Sequence, residues 1–216
     1  MRRLLAALAL LVLIACAPRA PDIQGAMRDH PVELTGPMTF ESVELVEKAL
    51  LVERRAGRPL VLMIDSSGGI ARSGVRLHEF LEKHAPVVCV VTGEASSAAF
   101  LALQGCSERI AVPEALLVAH NPFLMIPPSF EVRILTLTDL RRIYRDLQDI
   151  ADIMVRESAK RMGMSPATLR AKLALGDWVM TANEALLVNA IDRVEVLRVP
   201  PPLDADGNPP LPLETP

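Results

Sequence analysis

The sequence predicts a mixed α/β protein with a parallel sheet at its centre. Two apolar runs, at residues 59–64 and 87–92, lack polar alternation, which is typical of strands buried on both faces. Segments with helical spacing of apolar residues separate such runs, and strands that alternate with helices favour parallel pairing. Half of the 216 residues are hydrophobic but only 3% are aromatic, so we expect one domain with an aliphatic core.

The charge pattern argues against nucleic acid as a partner. The net charge is −3, and no block of Lys and Arg supplies the positive surface that nucleic acid requires. No group of His, Cys and acidic residues has metal-ligand spacing, so neither a metal nor another cofactor is expected. His78 and His84 lie in or just after a predicted helix among polar neighbours, and we expect both to be solvated.

The N-terminus resembles a bacterial lipoprotein signal peptide over residues 1–15. A basic Arg2-Arg3 pair precedes twelve apolar residues, fewer than the ~20 that a membrane-spanning helix needs. The sequence LIAC at 13–16 matches a lipobox, which implies cleavage before Cys16 and a lipid anchor on its thiol. An ordinary secretory signal with an incidental cysteine is the alternative. With either signal the mature chain is exported, and a lipid anchor would hold it on a bacterial membrane, facing the periplasm in a Gram-negative host.

Strands and helices alternate along the first half of the chain. Residues 16–30 hold two prolines and a glycine without periodicity, and predict a tether. A short strand at 32–34 follows. Apolar residues at 43, 45, 46, 49, 50 and 52 have helical spacing and predict a helix over 42–55. The strand at 59–64 then breaks at a polar and glycine-rich segment, and a helix over 71–83 leads to the strand at 87–92.

The second half begins with a helix of small residues from Ser97 to Gln104. Strands at 109–112 and 116–118 come next, and a long helix over 139–162 carries an apolar stripe. Ser165-Pro166 predicts the start of another helix, ending near Gly176, because serine caps helices and proline is favoured at their first position. A helical turn at 182–188 and a strand at 191–196 complete a domain over 31–198. The proline-rich tail at 199–216 is predicted to be disordered.

Two cysteines flank the small-residue helix. An exported chain can form disulfides, because its compartment is oxidising. If the helix runs back along the strand, about nine residues at ~1.5 Å retrace about four at ~3.3 Å and bring Cys89 close to Cys106. A disulfide between them and a pair of buried free thiols are both open.

Polar and glycine residues follow three of the predicted strands. Gly68-Gly69, Ser97 and His120 each come directly after an apolar run. Ligand-facing residues of parallel sheets gather at the carboxyl ends of the strands, so we expect these residues to lie together. A serine at a strand-to-helix turn and a histidine after the next strand could act as a nucleophile and its base.

Five segments in order resemble the proteolytic subunit of the Clp protease, within the ClpP/crotonase superfamily. They are LTG at 34–36, DSSGG at 65–69, GEASSAAF at 93–100, VAHNP at 118–122 and DWVMTANEA at 177–185. The resemblance covers residues 31–196. It implies an α/β core of repeated β-β-α units with a helical C-terminal part, and the activity of a serine-type endopeptidase.

The resemblance also implies a role for each matching residue. Ser97, four positions after the glycine, corresponds to the nucleophile, His120 to the general base and Asp177 to the acid that orients it. A serine hydroxyl needs a histidine to take its proton, and a carboxylate holds the imidazole in the correct tautomer. The implied oxyanion donors are the backbone N–H groups of Gly68 and Ala98. The implied partners are a peptide or unfolded protein substrate and further copies of the chain in a homo-oligomer.

Other interpretations of these residues stay open. Ser97 or Asp177 could be a helix N-cap, and His120 could end a strand without catalysing anything. A Ser-Lys dyad, as in signal-peptide-peptidase-like members of the superfamily, would need Lys160 or Lys172. A binding protein that kept the fold after losing activity is a further alternative.

Two departures from the Clp subunit bear on assembly and energy use. Residues 123–130, broken by prolines, replace the segment that joins two rings in the family, which argues against a double ring. An exported chain would meet no cytosolic unfolding ATPase, so we expect an ATP-independent peptidase.

Overall fold

The computed structural model describes residues 23–124 and 136–197. The predicted signal peptide at 1–15, the lipid-attachment residue Cys16, most of the proline-broken segment and the predicted tail lie outside the described residues. Within the described ranges, seven strands and seven helices occur.

Apart from the helix at Ile23–Asp29 and the strand at Trp178–Thr181, the elements follow one another in the predicted order. They are α1 (Ile23–Asp29), β1 (Val32–Thr35), α2 (Phe40–Arg55), β2 (Val61–Ser66), α3 (Ala71–Lys83), β3 (Val88–Ser96), α4 (Ala98–Gln104), β4 (Glu108–Ala111), β5 (Leu116–Ala119), α5 (Leu137–Met162), α6 (Pro166–Leu173), β6 (Trp178–Thr181), α7 (Ala182–Leu187) and β7 (Arg193–Val194).

The strands form one mostly parallel sheet, which confirms the predicted α/β class. Its main order is β1-β2-β3-β4-β7, and every pair along this path is parallel. The long strand β3 changes neighbour along its length. Its first half pairs with β4, whereas Glu94 to Ser96 pair in parallel with β5. β6 then pairs antiparallel with β5. β3 is therefore the strand that connects the main sheet to β5 and β6.

The core is aliphatic, as the composition predicts, and both faces of the sheet are covered. A large cluster includes side chains from β1, β2 and β3 together with helices α2, α3 and α4. A smaller cluster contains Val61, Val88, Val90 and Ile110, with Ala26 of α1 packed against them. The structure thus differs from the predicted tether at residues 23–29. Apolar side chains at positions 23, 26 and 27 have helical spacing, and they cover the sheet.

Strand β3 is longer than the sequence predicts. The apolar run suggests an end at Thr92, but the strand continues through Gly93 to Ser96. The extra residues gain hydrogen-bonding partners on β5, a neighbour that lies more than twenty positions away along the chain. β6, for which no strand was predicted, is likewise formed by pairing with β5. These strand bounds depend on long-range pairing rather than on local sequence.

The prediction that His78 is solvated is wrong. The residue is 2% exposed, and its Nδ1 lies 3.1 Å from the backbone oxygen of Leu101 on α4. The adjacent Glu79 is exposed, so it occupies another face of α3. The buried face is set by α4, which local sequence does not reveal.

Helices α3 and α4 approach each other closely at two glycines. A Cβ atom at Gly74 would lie 2.7 Å from the Ala98 backbone oxygen, and one at Gly105 would lie 2.5 Å from that of His78. Real Cβ atoms do not approach other atoms so closely, so both positions require glycine. The contact at Gly74 fixes the start of α4, directly after Ser97.

A disulfide joins Cys89 of β3 to Cys106, which follows α4. The two Cα atoms lie 5.9 Å apart, and both side chains are buried. The bridge encloses the end of β3, Ser97 and all of α4. The helix runs back along the strand, which is the geometry that brings the two cysteines together.

Replacing both cysteines by alanine should destabilise the domain. The separation of 17 residues predicts a fall of about 3 kcal/mol in the free energy of unfolding, because the open chain gains entropy when unfolded. Urea unfolding with and without dithiothreitol measures the change. Reductant should shift the wild-type midpoint and leave the Cys89→Ala, Cys106→Ala variant unmoved. Two titratable thiols in the denatured, unreduced domain would contradict the disulfide.

Candidate active site

Loops at the carboxyl ends of the parallel strands surround a cavity of about 580 Å³. Gly68, Gly69, Ser97 and His120 all line it, so the structure brings together the residues that follow three different strands. Apolar side chains form much of the remaining wall: Met38, Ile70, Pro122, Phe123 and Leu147. Asp177 is not among the lining residues.

Ser97 occupies a strained turn between β3 and α4. Its backbone angles are φ 57° and ψ −119°, a region that non-glycine residues rarely adopt and that costs about 1–3 kcal/mol. The Ser97 N–H donates to the Val118 oxygen at 2.8 Å, which ties the turn to β5. The side chain makes no capping hydrogen bond to α4. Ser97 therefore occupies the N-cap position of α4, but its hydroxyl does not cap the helix.

The neighbouring Ser96 is differently placed. It is 5% exposed, and its hydroxyl donates to the carboxylate of Glu94. Of the two serines, Ser97 lines the cavity. The position in the motif predicts Ser97 as the nucleophile, and Ser97 is also the serine that lines the cavity.

Gly68 lies directly against Ser97. A Cβ atom at this position would lie 2.5 Å from the Ser96 oxygen, 2.8 Å from Ser97 Cβ and 3.0 Å from the Ala98 nitrogen. Its φ of +85° is also one that glycine tolerates best. The loop at Gly68-Gly69, which we call the glycine loop, therefore packs its backbone directly against Ser97. A residue with a side chain at position 68 would prevent this contact.

The two expected oxyanion donors differ in their present hydrogen bonding. The Gly68 N–H donates to Ser66 Oγ at 3.2 Å, and Ser66 Oγ donates in turn to the Gly36 oxygen at 2.6 Å. The Ala98 N–H begins α4 and has no hydrogen-bond partner in the part of the chain that the structure describes. Ser66 is a residue whose contribution the sequence did not reveal, since its partner Gly36 comes from a different loop.

His120 follows β5 and faces the cavity. Its Nδ1 lies 2.7 Å from the Asn121 backbone oxygen, and its ring stacks on Phe123 with centroids 5.4 Å apart. A carbonyl oxygen only accepts, so Nδ1 carries the proton and, in the neutral ring, Nε2 is the acceptor. Across the described residues no hydrogen bond joins this ring to Ser97.

Asp177 lies beside His120 in the register of the sheet. β5 and β6 pair antiparallel with Ala119 opposite Trp178, so the next position along each strand brings the backbones of His120 and Asp177 side by side. The Asp177 side chain is exposed, and among the described contacts it has no hydrogen bond to His120. Helix α7 is capped by Thr181, so the alternative of Asp177 as its N-cap is wrong.

The two lysines of the alternative dyad lie elsewhere. Lys160 Nζ is 3.5 Å from Glu82 and 3.7 Å from Glu157. Lys172 Nζ lies 4.4 Å from the ring centroid of Trp178. Neither lysine lines the cavity that contains Ser97, so His120 is the better-placed candidate base.

Fold and cavity together describe a parallel α/β protein with a serine at a strained strand-to-helix turn, next to a glycine loop and a histidine. The family model described as Clp protease matches residues 17–197 of the chain. The chain therefore belongs to the Clp protease family, a family of peptidases. Among the described helices none is both long and apolar enough to span a membrane.

Replacing Gly68 by alanine should disable the site and also destabilise the fold, because the new Cβ would lie 2.5 Å from the Ser96 backbone oxygen. The new Cβ would force Gly68 and Ser97 apart, and we expect reaction with a serine-directed probe to slow by at least about 100-fold. Gly36→Ala is the matched control, because Gly36 has a similar φ of +69° but nothing within 4 Å of the added Cβ. The unfolding temperatures of both variants show how much each alanine destabilises the fold, so that slower labelling can be distinguished from unfolding. Equal labelling of the two variants would contradict the assignment.

Proposed function

We propose that this chain is a lipid-anchored, exported serine peptidase that hydrolyses peptide bonds with Ser97 as nucleophile. His120 is the general base, Asp177 orients it, and the N–H groups of Gly68 and Ala98 stabilise the oxyanion. No ATP is consumed. The observation that carries the proposal is the strained turn at Ser97, whose side chain caps no helix and lines a cavity shared with His120.

The backbone conformation of Ser97 is the kind that functional serines adopt. A nucleophile on a sharp turn between a strand and a helix presents its hydroxyl to a cavity, and the helix N-terminus lies close to the developing negative charge. Attack of Ser97 Oγ on a peptide carbonyl would pass its proton to His120 Nε2. The same proton would then go to the leaving amine, which leaves an acyl-enzyme for water to hydrolyse.

The cavity wall supports a peptide substrate with an apolar side chain next to the cleaved bond. Met38, Ile70 and Leu147 contribute apolar surface beside Ser97, and a charged side chain placed there would lose its hydration without a partner. Clp proteases act on peptides and form oligomers. We propose that this chain likewise forms a homo-oligomer.

Two observations support export. The buried Cys89–Cys106 disulfide is a bond that persists in oxidising compartments and is rare in the cytosol. The pattern of residues 1–16, with a basic pair, an apolar run and a lipobox cysteine, is typical of exported lipoproteins. Cys16 would then hold the peptidase on a membrane.

A fluorophosphonate probe tests the nucleophile. We expect covalent labelling of the wild type, none of Ser97→Ala, and labelling of His120→Ala that is at least about 100-fold slower, because the base is lost. Ser96→Ala is the matched control, since it removes the adjacent hydroxyl and should still be labelled. Mass spectrometry of the labelled peptide locates the adduct. A wild type that takes no label, or a labelled Ser97→Ala variant, would overturn the proposal.

A non-catalytic binding protein is the second candidate. The observation in its favour is that His120 Nδ1 contacts the Asn121 oxygen while Asp177 stays apart. Such a protein would bind peptides in the same cavity and leave them intact. Binding of a peptide by Ser97→Ala and by the wild type with equal affinity, together with no probe labelling of either, would favour this candidate.

Membrane attachment is tested at Cys16. In a bacterial host, the wild type should sediment with membranes and carry a lipid mass at its N-terminus. A Cys16→Ser variant should lose the lipid and appear in the soluble exported fraction or remain unprocessed. Wild-type protein that is soluble and begins at a residue other than Cys16 would show that the signal is an ordinary secretory one.

A further inference from the structure

Three side chains that the proposed reaction does not use converge between α3 and α5. His78 and Glu82 lie one turn apart on α3, and Glu157 lies on α5. Their candidate ligand atoms all lie within 4.8 Å of one another. Local sequence does not predict this group, because its third member comes from a distant helix.

One nitrogen of the His78 imidazole has no hydrogen-bond partner in the described ranges of the chain. Nδ1 lies 3.1 Å from the Leu101 carbonyl oxygen, so it carries the proton, and the neutral ring presents a lone pair at Nε2. Nε2 is buried and has no hydrogen-bond partner within the described residues. Since buried polar atoms are nearly always satisfied, this nitrogen points to a ligand. The nearest charged oxygen is Glu82 Oε2, at 3.7 Å.

The two glutamates form an anionic site around that nitrogen. Glu157 accepts a hydrogen bond from Arg156 Nε at 2.8 Å, and Glu82 lies on the opposite helix α3. Lys160 Nζ lies 3.5 Å from Glu82 and 3.7 Å from Glu157, so the pair already attracts a cation. The Lys160 side chain is 69% exposed and is free to move away.

We propose that His78, Glu82 and Glu157 bind a zinc ion, with water as the fourth ligand. One imidazole nitrogen and two carboxylate oxygens suit Zn²⁺, whereas Ca²⁺ and Mg²⁺ prefer oxygen ligands alone. Tetrahedral zinc with bonds of about 2.0–2.1 Å separates its ligand atoms by about 3.3 Å, so ligand atoms that now lie within 4.8 Å of one another must draw together by movement of the two glutamate side chains. A metal-binding histidine also usually donates its other N–H to a carbonyl or carboxylate, as His78 does to Leu101.

The ion would link the helices that support the proposed active site. It would join α3 to α5, and His78 is already tied to Leu101 of α4, the helix that begins directly after Ser97. Zinc bound here would stabilise the folded state, because the unfolded chain does not present these ligands together. Its effect is therefore measurable as stability, independently of peptidase activity.

Zinc binding is tested on the full chain after removal of metal with EDTA. Isothermal titration with ZnCl₂ should give one site per chain, and ZnCl₂ should raise the unfolding temperature. Co²⁺ in place of zinc should give the visible absorption of a tetrahedral site. Glu82→Gln, Glu157→Gln and His78→Gln should each weaken binding at least about tenfold. The two glutamate variants keep the buried imidazole and so remain informative if His78→Gln fails to fold.

Two further variants separate a metal site from an ion-pair cluster. Lys160→Met removes the competing ammonium and should tighten zinc binding a few-fold. Glu79→Gln removes an exposed carboxylate from the same helix and should change nothing. No saturable binding to the wild type would overturn the proposal. Binding that survives both Glu157→Gln and His78→Gln would also overturn it, since the ion would then lie elsewhere.

Discussion

Close backbone contact on both sides of Ser97 is the constraint on which the proposed site depends. On one side, a Cβ at Gly68 would lie 2.8 Å from Ser97 Cβ. On the other side, a Cβ at Gly74 would lie 2.9 Å from the Ala98 Cα. The strained turn costs about 1–3 kcal/mol and persists only when its surroundings over-determine it. Gly68 and Gly74 provide this restraint, because without side chains they allow the loop after β2 and helix α3 to pack directly against the turn.

The same constraint extends through β3 to the rest of the cavity. Glu94 to Ser96 pair with β5, and the Ser97 N–H donates to Val118 on that strand. The serine and His120 therefore take their relative positions from a single strand pair. At the other end, the Cys89–Cys106 disulfide closes the segment that contains the turn. The nucleophile is thus held by sheet hydrogen bonds, helix packing and a covalent link, none of which involves its own side chain.

Local sequence predicts the parts of this arrangement that depend on short-range chemistry. Apolar runs and caps locate the helices and strands within a few residues, and the glycines of DSSGG and GEASS mark the loops that approach the cavity. It does not predict features formed by distant pairing. The extension of β3 beyond Gly93, the strand β6 and the burial of His78 each require a partner far away in sequence. Helix α1 was missed because its short apolar pattern follows two prolines.

The side-chain arrangement around His120 shows what the motif alone does not determine. The Asn121 carbonyl accepts a hydrogen bond from the Nδ1–H of His120. This bond selects the tautomer in which Nε2 is free to act as a base. A carbonyl, however, lacks the full charge with which a carboxylate stabilises the imidazolium formed during acyl transfer. Asp177 lies beside His120 in strand register but remains exposed. For the proposed reaction, the Asp177 carboxylate must therefore replace the Asn121 carbonyl as the acceptor of the Nδ1–H hydrogen bond. Because the carbonyl already selects the tautomer, the carboxylate contributes the negative charge that stabilises the imidazolium.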